Sequence, residues 1–115
     1  MTTVSDSKKR NARLLCRASD IAENGAACVK LENRPPIAVF RIDGRFFATD
    51  DRCTHGGASL SEGMLDGEVV ICPAHGGEFH IPTGRAMCFP VTRDIKCYPV
   101  VVEEDHVFMA DGDAE

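Results

Sequence analysis

Ile37-Ala38-Val39-Phe40-Arg41-Ile42-Asp43-Gly44-Arg45-Phe46-Phe47-Ala48-Thr49 is the stretch that decides the fold. Two runs rich in Val, Ile and Phe flank Asp43-Gly44, a dipeptide suited to a two-residue loop in which both residues take positive φ. The stretch therefore predicts a strand, a tight turn and an antiparallel partner. Outward on the N-terminal side, Ala27 to Glu32 predicts a further strand, separated from Pro36 to Asp43 by Asn33-Arg34-Pro35-Pro36. Further back, Leu14 and Leu15 lead into Ser19 to Gly25, where Asp20 is placed to cap one helical turn, with Glu23 answering it and Gly25 stopping it. On the C-terminal side, Asp66-Gly67 repeats the turn signal before the strand Glu68 to Cys72, and Pro82-Thr83-Gly84 marks another turn. Ile95 to Glu103 and His106 to Ala110 form a last pair around Glu104-Asp105, with Pro90 and Pro99 at strand ends or edges. Short strands separated by frequent turns, with no internal repeat, predict an all-β fold: a small antiparallel barrel or sandwich.

A chain of 115 residues has room for one domain and one modest core, which excludes a large multidomain enzyme. At 43% hydrophobic and 27% charged residues, it has the composition of an ordinary globular protein. The longest apolar runs, Ile37 to Phe40 and Val100 to Val102, are strand-sized, far short of the roughly 18 residues a spanning helix needs. Residues 1–11 are polar and without period, which predicts a loose leader. Lys8, Lys9, Arg10 and Arg13 are followed by no apolar segment, so no export signal is legible and the cytoplasm is the expected compartment, with no membrane partner. The net charge of −5 is a C-terminal property: six acids, Glu103, Glu104, Asp105, Asp111, Asp113 and Glu115, fall in the last fifteen residues. The first hundred hold 12 acids against 13 bases. That balance argues against a nucleic-acid partner and makes residues 111–115 a solubilising tail.

Six cysteines are many for this length. In a reducing compartment they are better read as metal ligands or small apolar residues than as disulfides. Cys53-Thr54-His55 and Cys72-Pro73-Ala74-His75 each offer one thiolate and one imidazole on a tight loop, with sixteen residues between His55 and Cys72. Gly56-Gly57 and Gly76-Gly77 follow them, so backbone amides can approach whatever the four side chains hold. The turn at Asp66-Gly67 lets the chain double back and bring the loops together. A tetrahedral zinc site is one reading, but zinc fingers space their ligands as a cysteine pair followed by a histidine pair. One cysteine and one histidine per loop suits a two-iron cluster in which cysteines take one iron and histidines the other.

At these residues the chain resembles the Rieske [2Fe–2S] family, whose pattern is Cys-x-His, a spacer of about this length, and Cys-x-x-His. Cys72-Pro73-Ala74-His75-Gly76-Gly77-Glu78-Phe79, Thr83-Gly84-Arg85-Ala86 and Tyr98-Pro99-Val100 are similar to the Rieske ferredoxins of bacterial multicomponent aromatic-ring dioxygenases, and the likeness runs from about Leu14 to Ala110. The resemblance implies a single domain over 1–115 in which about 51–89 is a cluster-binding subdomain inserted between strands of a barrel-like base. It implies one Rieske [2Fe–2S] cluster on Cys53, His55, Cys72 and His75, and no catalytic residue. The implied role is one-electron transfer from an NAD(P)H-dependent flavin reductase to a terminal aromatic-ring oxygenase, by a monomer making transient contacts. A Rieske-type small subunit of an assimilatory nitrite reductase is the alternative, and a redox-inert zinc module stands behind both.

The departures are informative. Respiratory Rieske proteins add a cysteine to each cluster loop and join the loops by a disulfide; here Gly57 to Ser59 and Ala74 stand in those places. Catalytic oxygenase subunits continue into a long iron domain, for which the forty residues after His75 give no room. High-potential relatives carry a serine and a tyrosine at positions aligning with Gly77 and Phe79, so the resemblance implies a low potential here. Cys16, Cys28, Cys88 and Cys97 sit in apolar contexts and are expected to be small buried residues rather than extra ligands. His80 is expected at the surface near the docking face, His106 in solvent, and Arg52, Glu62 and Glu78 as charged residues flanking the loops.

Overall fold

The computed structural model describes residues 12–54, 57–74, 76–88 and 93–110, with the backbone alone at Cys88. The predicted leader and acidic tail, His55, His75 and the end of the predicted subdomain at Phe89 lie outside the described residues.

The hairpin stands where the sequence puts it. β3 (Ile37–Ile42) and β4 (Arg45–Asp50) pair from Ile37 with Asp50 to Ile42 with Arg45, and the loop residues Asp43 and Gly44 have φ of 54° and 76°. The Glu23 carboxylate accepts from the amides of both loop residues, Asp43 and Gly44. Glu23 is thus occupied by the hairpin and does not answer a helix cap. The helical turn itself is a short 3-10 turn over Ala18–Asp20 that begins after Arg17, and Asp20 closes it by accepting from the Arg17 amide at 3.1 Å. Asp20 acts from the end of the turn, not from the cap position.

β2 (Gly25–Val29) pairs with β3, and β9 (Cys97–Tyr98) with β4, giving a four-stranded sheet in the order β2-β3-β4-β9. β2 stops three residues before the predicted end, where Asn33 at φ 63° turns the chain. A second sheet joins β1 (Ala12–Arg17), β11 (His106–Ala110) and β10 (Val100–Glu103) in the order β1-β11-β10. The single strand expected over 95–103 is two strands in different sheets. Between them Pro99 has no N–H for a ladder, though its carbonyl accepts from Ala110 at 2.9 Å. His106 opens β11 half-buried, its ring centroid 6.4 Å from that of Phe108, and is not the solvated residue expected. The third sheet, β5 (Met64–Asp66), β6 (Val69–Ile71), β7 (Glu78–His80) and β8 (Arg85–Cys88), is a meander of antiparallel neighbours. Asp66 pairs with Val69, so the β5–β6 loop residues are Gly67 and Glu68, one position beyond the predicted dipeptide.

β3 explains how three sheets share one domain. Ile37 and Val39 pack with Leu15, Val107, Met109 and Tyr98 on one face, while Ala38, Phe40 and Ile42 pack with Val70, Phe79, Ile81 and Ile95 on the other. A strand buried on both faces reads as a nearly continuous apolar run, as Ile37 to Phe40 does. Each large side chain so buried contributes about 1.5–3 kcal/mol, and β3 therefore fixes the β5–β8 sheet to the rest of the molecule.

Candidate metal centre

Cys53 and Cys72 are 3% and 2% exposed and belong to the same buried cluster, alongside Phe40, Leu60, Val70 and Phe79. The fold thus brings together two thiols that are nineteen positions apart in sequence. His55 and His75 follow them in the loops but lie outside the described residues.

The two loops share one backbone frame. The Cys53 amide donates to the Ala58 carbonyl at 2.8 Å, and the Gly57 amide donates back to the Cys53 carbonyl at 3.2 Å. In the second loop the Cys72 amide donates to the Gly77 carbonyl at 2.7 Å, and the Gly76 amide to the Cys72 carbonyl at 3.1 Å. Gly57 and Gly76, each four residues after its cysteine, both have φ of 76°, the left-handed region that glycine enters without steric cost. The equivalence follows distance from the cysteine rather than the glycine doublets, since Gly57 is second in its pair and Gly76 first in its own.

Each loop also opens on a hollow. One of about 380 Å³ beside the first loop is lined by Asp50, Arg52, Cys53, Thr54 and Arg93; another of about 520 Å³ beside the second is lined by Glu62, Met64, Ile71, Cys72, Pro73 and Gly76. Met64 is 69% exposed there. Arg52 and Glu62 are exposed as expected, whereas Glu78 belongs to β7, half-buried opposite Ile71.

Cys16, Cys28 and Cys97 are poor candidates for ligands. Among the described cysteines none is disulfide-bonded. Burial pushes the thiols of Cys16, Cys28 and Cys97 up, and neighbouring carboxylates add to it: Asp20 at Cys16, Asp51 at Cys28, and Asp50 with Asp94 at Cys97. A thiol held protonated is a weak ligand and a weak nucleophile. Cys28 is nonetheless exposed and Cys16 and Cys97 half-buried, which corrects the expectation that all are buried. Cys28 lies at the sheet's outer edge, where β2 has a partner on one side only. His80 is engaged rather than free: one ring nitrogen lies 2.8 Å from Thr83 Oγ1 and the other 3.1 Å from Glu68 Oε1, and Glu68 also pairs with Arg45 at 3.2 Å.

Sequence reasoning missed two supports. Thr54 Oγ1 donates to the Arg93 carbonyl at 2.8 Å, and Asp94 accepts from the Ala86 amide at 2.8 Å, so the segment 93–95 straps the first loop to β8. Asp51, 3% exposed, carries the other end of that loop. A serine at both 59 and 61 after an aspartate was the available signal. The donor set fits a mixed thiolate–imidazole cluster in its described half: two buried cysteines, one frame each, in one apolar cluster.

Residues 11–99 match the model of the Rieske [2Fe–2S] domain. The chain is 46% identical over 96 residues to the 3-phenylpropionate/cinnamic acid dioxygenase ferredoxin subunit of Photorhabdus laumondii, covering 83% of this chain and 90% of that protein. It superposes with a TM-score of 0.83 and 42% identity on a chain in a complex of reduced oxygenase and oxidized ferredoxin in carbazole 1,9a-dioxygenase, covering 87% of this chain and 93% of that one. A protein described as the small subunit of an NADPH nitrite reductase is more distant, at 25% identity and a TM-score of 0.72 over 85% of this chain and 96% of that one.

Proposed function

This chain belongs to the Rieske [2Fe–2S] domain family, and from that premise we propose that Cys53, His55, Cys72 and His75 hold its one cluster. The protein is the ferredoxin component of a multicomponent aromatic-ring dioxygenase, a carrier with no catalytic centre of its own. It takes electrons from an NAD(P)H-dependent flavin reductase and gives them to a terminal oxygenase, as a monomer in the cytoplasm. The observation that carries this reading is the pair of identically hydrogen-bonded loops that send Cys53 and Cys72 into one buried cluster. When bound, the cluster would accept and release one electron reversibly.

The chain's own residues do the rest. Leu60, Val70 and Phe79, each at most 1% exposed, pack beside the two cysteines and keep water from that side. The loop frames and β3 hold the cysteines in place. The segment 51–89 serves as the cluster-binding subdomain, its meander resting on the face of β3 that carries Phe40. The higher identity to dioxygenase ferredoxins than to the nitrite reductase small subunit favours the first role. Among the described residues no helix is long and apolar enough to cross a membrane.

The test is chemical. Purified protein should be red-brown, with two irons and two acid-labile sulfides per chain, and a flavoprotein reductase should reduce it. Cys53→Ala and His75→Ala should each be colourless and less stable, because metal binding is coupled to folding. Full iron content in either variant removes that residue from the ligand set, and a colourless parent protein holding zinc removes the redox role.

A further inference from the structure

The two loops share an inner frame but are held at the neck by different means. Below Cys72 and Gly77 the chain passes directly into the β6–β7 ladder, where Ile71 pairs with Glu78 and Val70 with Phe79. Below Cys53 and Ala58 the described residues form no ladder but an isolated bridge between Arg52 and Ser59. At that point stands Asp51. Its carbonyl accepts from the Leu60 amide at 2.7 Å and its amide donates to the Pro36 carbonyl at 3.1 Å. Its carboxylate accepts from the Ser59 hydroxyl at 2.6 Å, from the Ser61 amide at 2.8 Å and from the Cys28 thiol at 3.6 Å.

One residue just past the end of β4 therefore grips the returning segment at Ser59 and at the start of the 3-10 turn Leu60–Glu62, and ties both to the β2 edge. Hydrogen bonds to a charged acceptor are stronger than neutral ones, and burial raises the cost of losing any of them. We propose that Asp51 is the positioning residue of the first loop, doing with a carboxylate what the β6–β7 ladder does for the second. The inference rests on the reading of Cys53 as a cluster ligand. Asp51 acts through Cys53: without the bracket the neck opens, and the loop no longer holds the thiolate in register with Cys72.

The experiment compares the cluster-loaded protein with Asp51→Ala, Asp51→Asn and Ser59→Ala, and with Val107→Ala as a control on the far core face. It follows iron loss to a colorimetric Fe(II) chelator at a temperature well below unfolding, thermal midpoints, and the EPR spectrum of the reduced, fully loaded fraction. Asp51→Ala should lose iron about tenfold faster or more, the effect of removing bonds to a buried charge, with broadened EPR lines. Asn keeps an acceptor for Ser61 and a donor for Ser59, so Asp51→Asn should restore most of the retention. Val107→Ala should lower the midpoint without changing either readout.

If Asp51→Ala does not fold, Ser59→Ala carries the test, with an intermediate rate expected. Iron loss at the parent rate in Asp51→Ala, or in Ser59→Ala where that variant stands in, overturns the proposal. So does equal acceleration in Val107→Ala. A parent protein that binds no iron refutes the cluster assignment itself, a result distinct from a loaded parent with indifferent variants.

Discussion

Gly84 closes the turn between β7 and β8, and its replacement by alanine separates two costs that usually come together. Its φ is +78°, where an L-residue with a Cβ pays about 1–2 kcal/mol. A Cβ there would also run into the Ile95 carbonyl oxygen and lie 2.8 Å from Cys97 Sγ. The Ile95 amide is bonded to the Gly84 carbonyl at 2.8 Å, which holds residue 95 close against the turn. Overpacking against fixed groups adds about 1–3 kcal/mol, for a total of about 2–5 kcal/mol out of the 5–15 typical of a domain. At about 4 °C per kcal/mol for this size, the midpoint should fall by roughly 8–20 °C. Gly44→Ala is the built-in control: φ is +76° and nothing lies within 4 Å of the added carbon, so only the backbone term of about 1–2 kcal/mol remains. Circular dichroism and cluster absorbance on heating give both midpoints, and they should move together, since Ile95 shares a core with Cys53 and Cys72. A Gly84→Ala protein no less stable than Gly44→Ala would refute the contact on which the reasoning depends.

Three further outcomes are expected. Phe79 is fully buried beside both cysteines and Gly77 lies at the second loop's neck, and neither has a side-chain donor; the midpoint potential should sit low in the range of about −150 to +300 mV. Gly77→Ser with Phe79→Tyr should raise it in voltammetry, and a parent value near the top of that range would overturn the donor argument. The Ser19 hydroxyl, with the Ser19 amide and Arg17 adding to it, holds the Asp105 carboxyl below its usual range, so the stability it lends is present above the unfolded value of about 3.9 and fades as pH falls through the lower folded value. Asp105→Asn, which keeps the φ of 67° tolerable, should be less stable at neutral pH and converge with the parent in strong acid; urea midpoints that stay parallel would exclude the linkage. Electron delivery should depend on ionic strength through exposed Glu62 beside the second loop, and stopped-flow rates unchanged between roughly 0.02 and 0.5 M salt would rule out steering.

What the sequence disclosed and what it concealed divide along a physical line. Asp43-Gly44 was legible because its backbone requirement is local, and so was the repeated Cys/His loop, whose chemistry is written in residue type and spacing. The break at Pro99 was marked by its missing donor, yet its consequence, two strands in two sheets, depends on which edges β4 and β11 leave open. Glu23 reads as a cap residue in sequence because its partner in the hairpin loop, twenty residues away, lies beyond any local window. Glu104 and Asp105 form a positive-φ hairpin loop without glycine, held by Arg17 at the end of β1 and by Ser19 in the 3-10 turn that follows. Cys28 has apolar neighbours in sequence, and Ala27 and Val29 do pack inward, yet Cys28 itself stays exposed at the β2 edge with its thiol donating to the Asp51 carboxylate.

The same line runs through the site. The candidate ligands are named by sequence, but what would let two loops of different spacing serve one cluster is a matter of backbone geometry. Cys-x-His and Cys-x-x-His differ by a residue, and the frames absorb that difference by placing the positive-φ glycine at a fixed distance from the cysteine. The cysteines thus set the frame. In sequence the histidine comes one residue further along in the second loop. If this is right, moving the glycine should be worse than moving the histidine's neighbour: Gly76→Ala, strained at φ 76° with open space around it, should weaken iron retention more than Ala74→Gly.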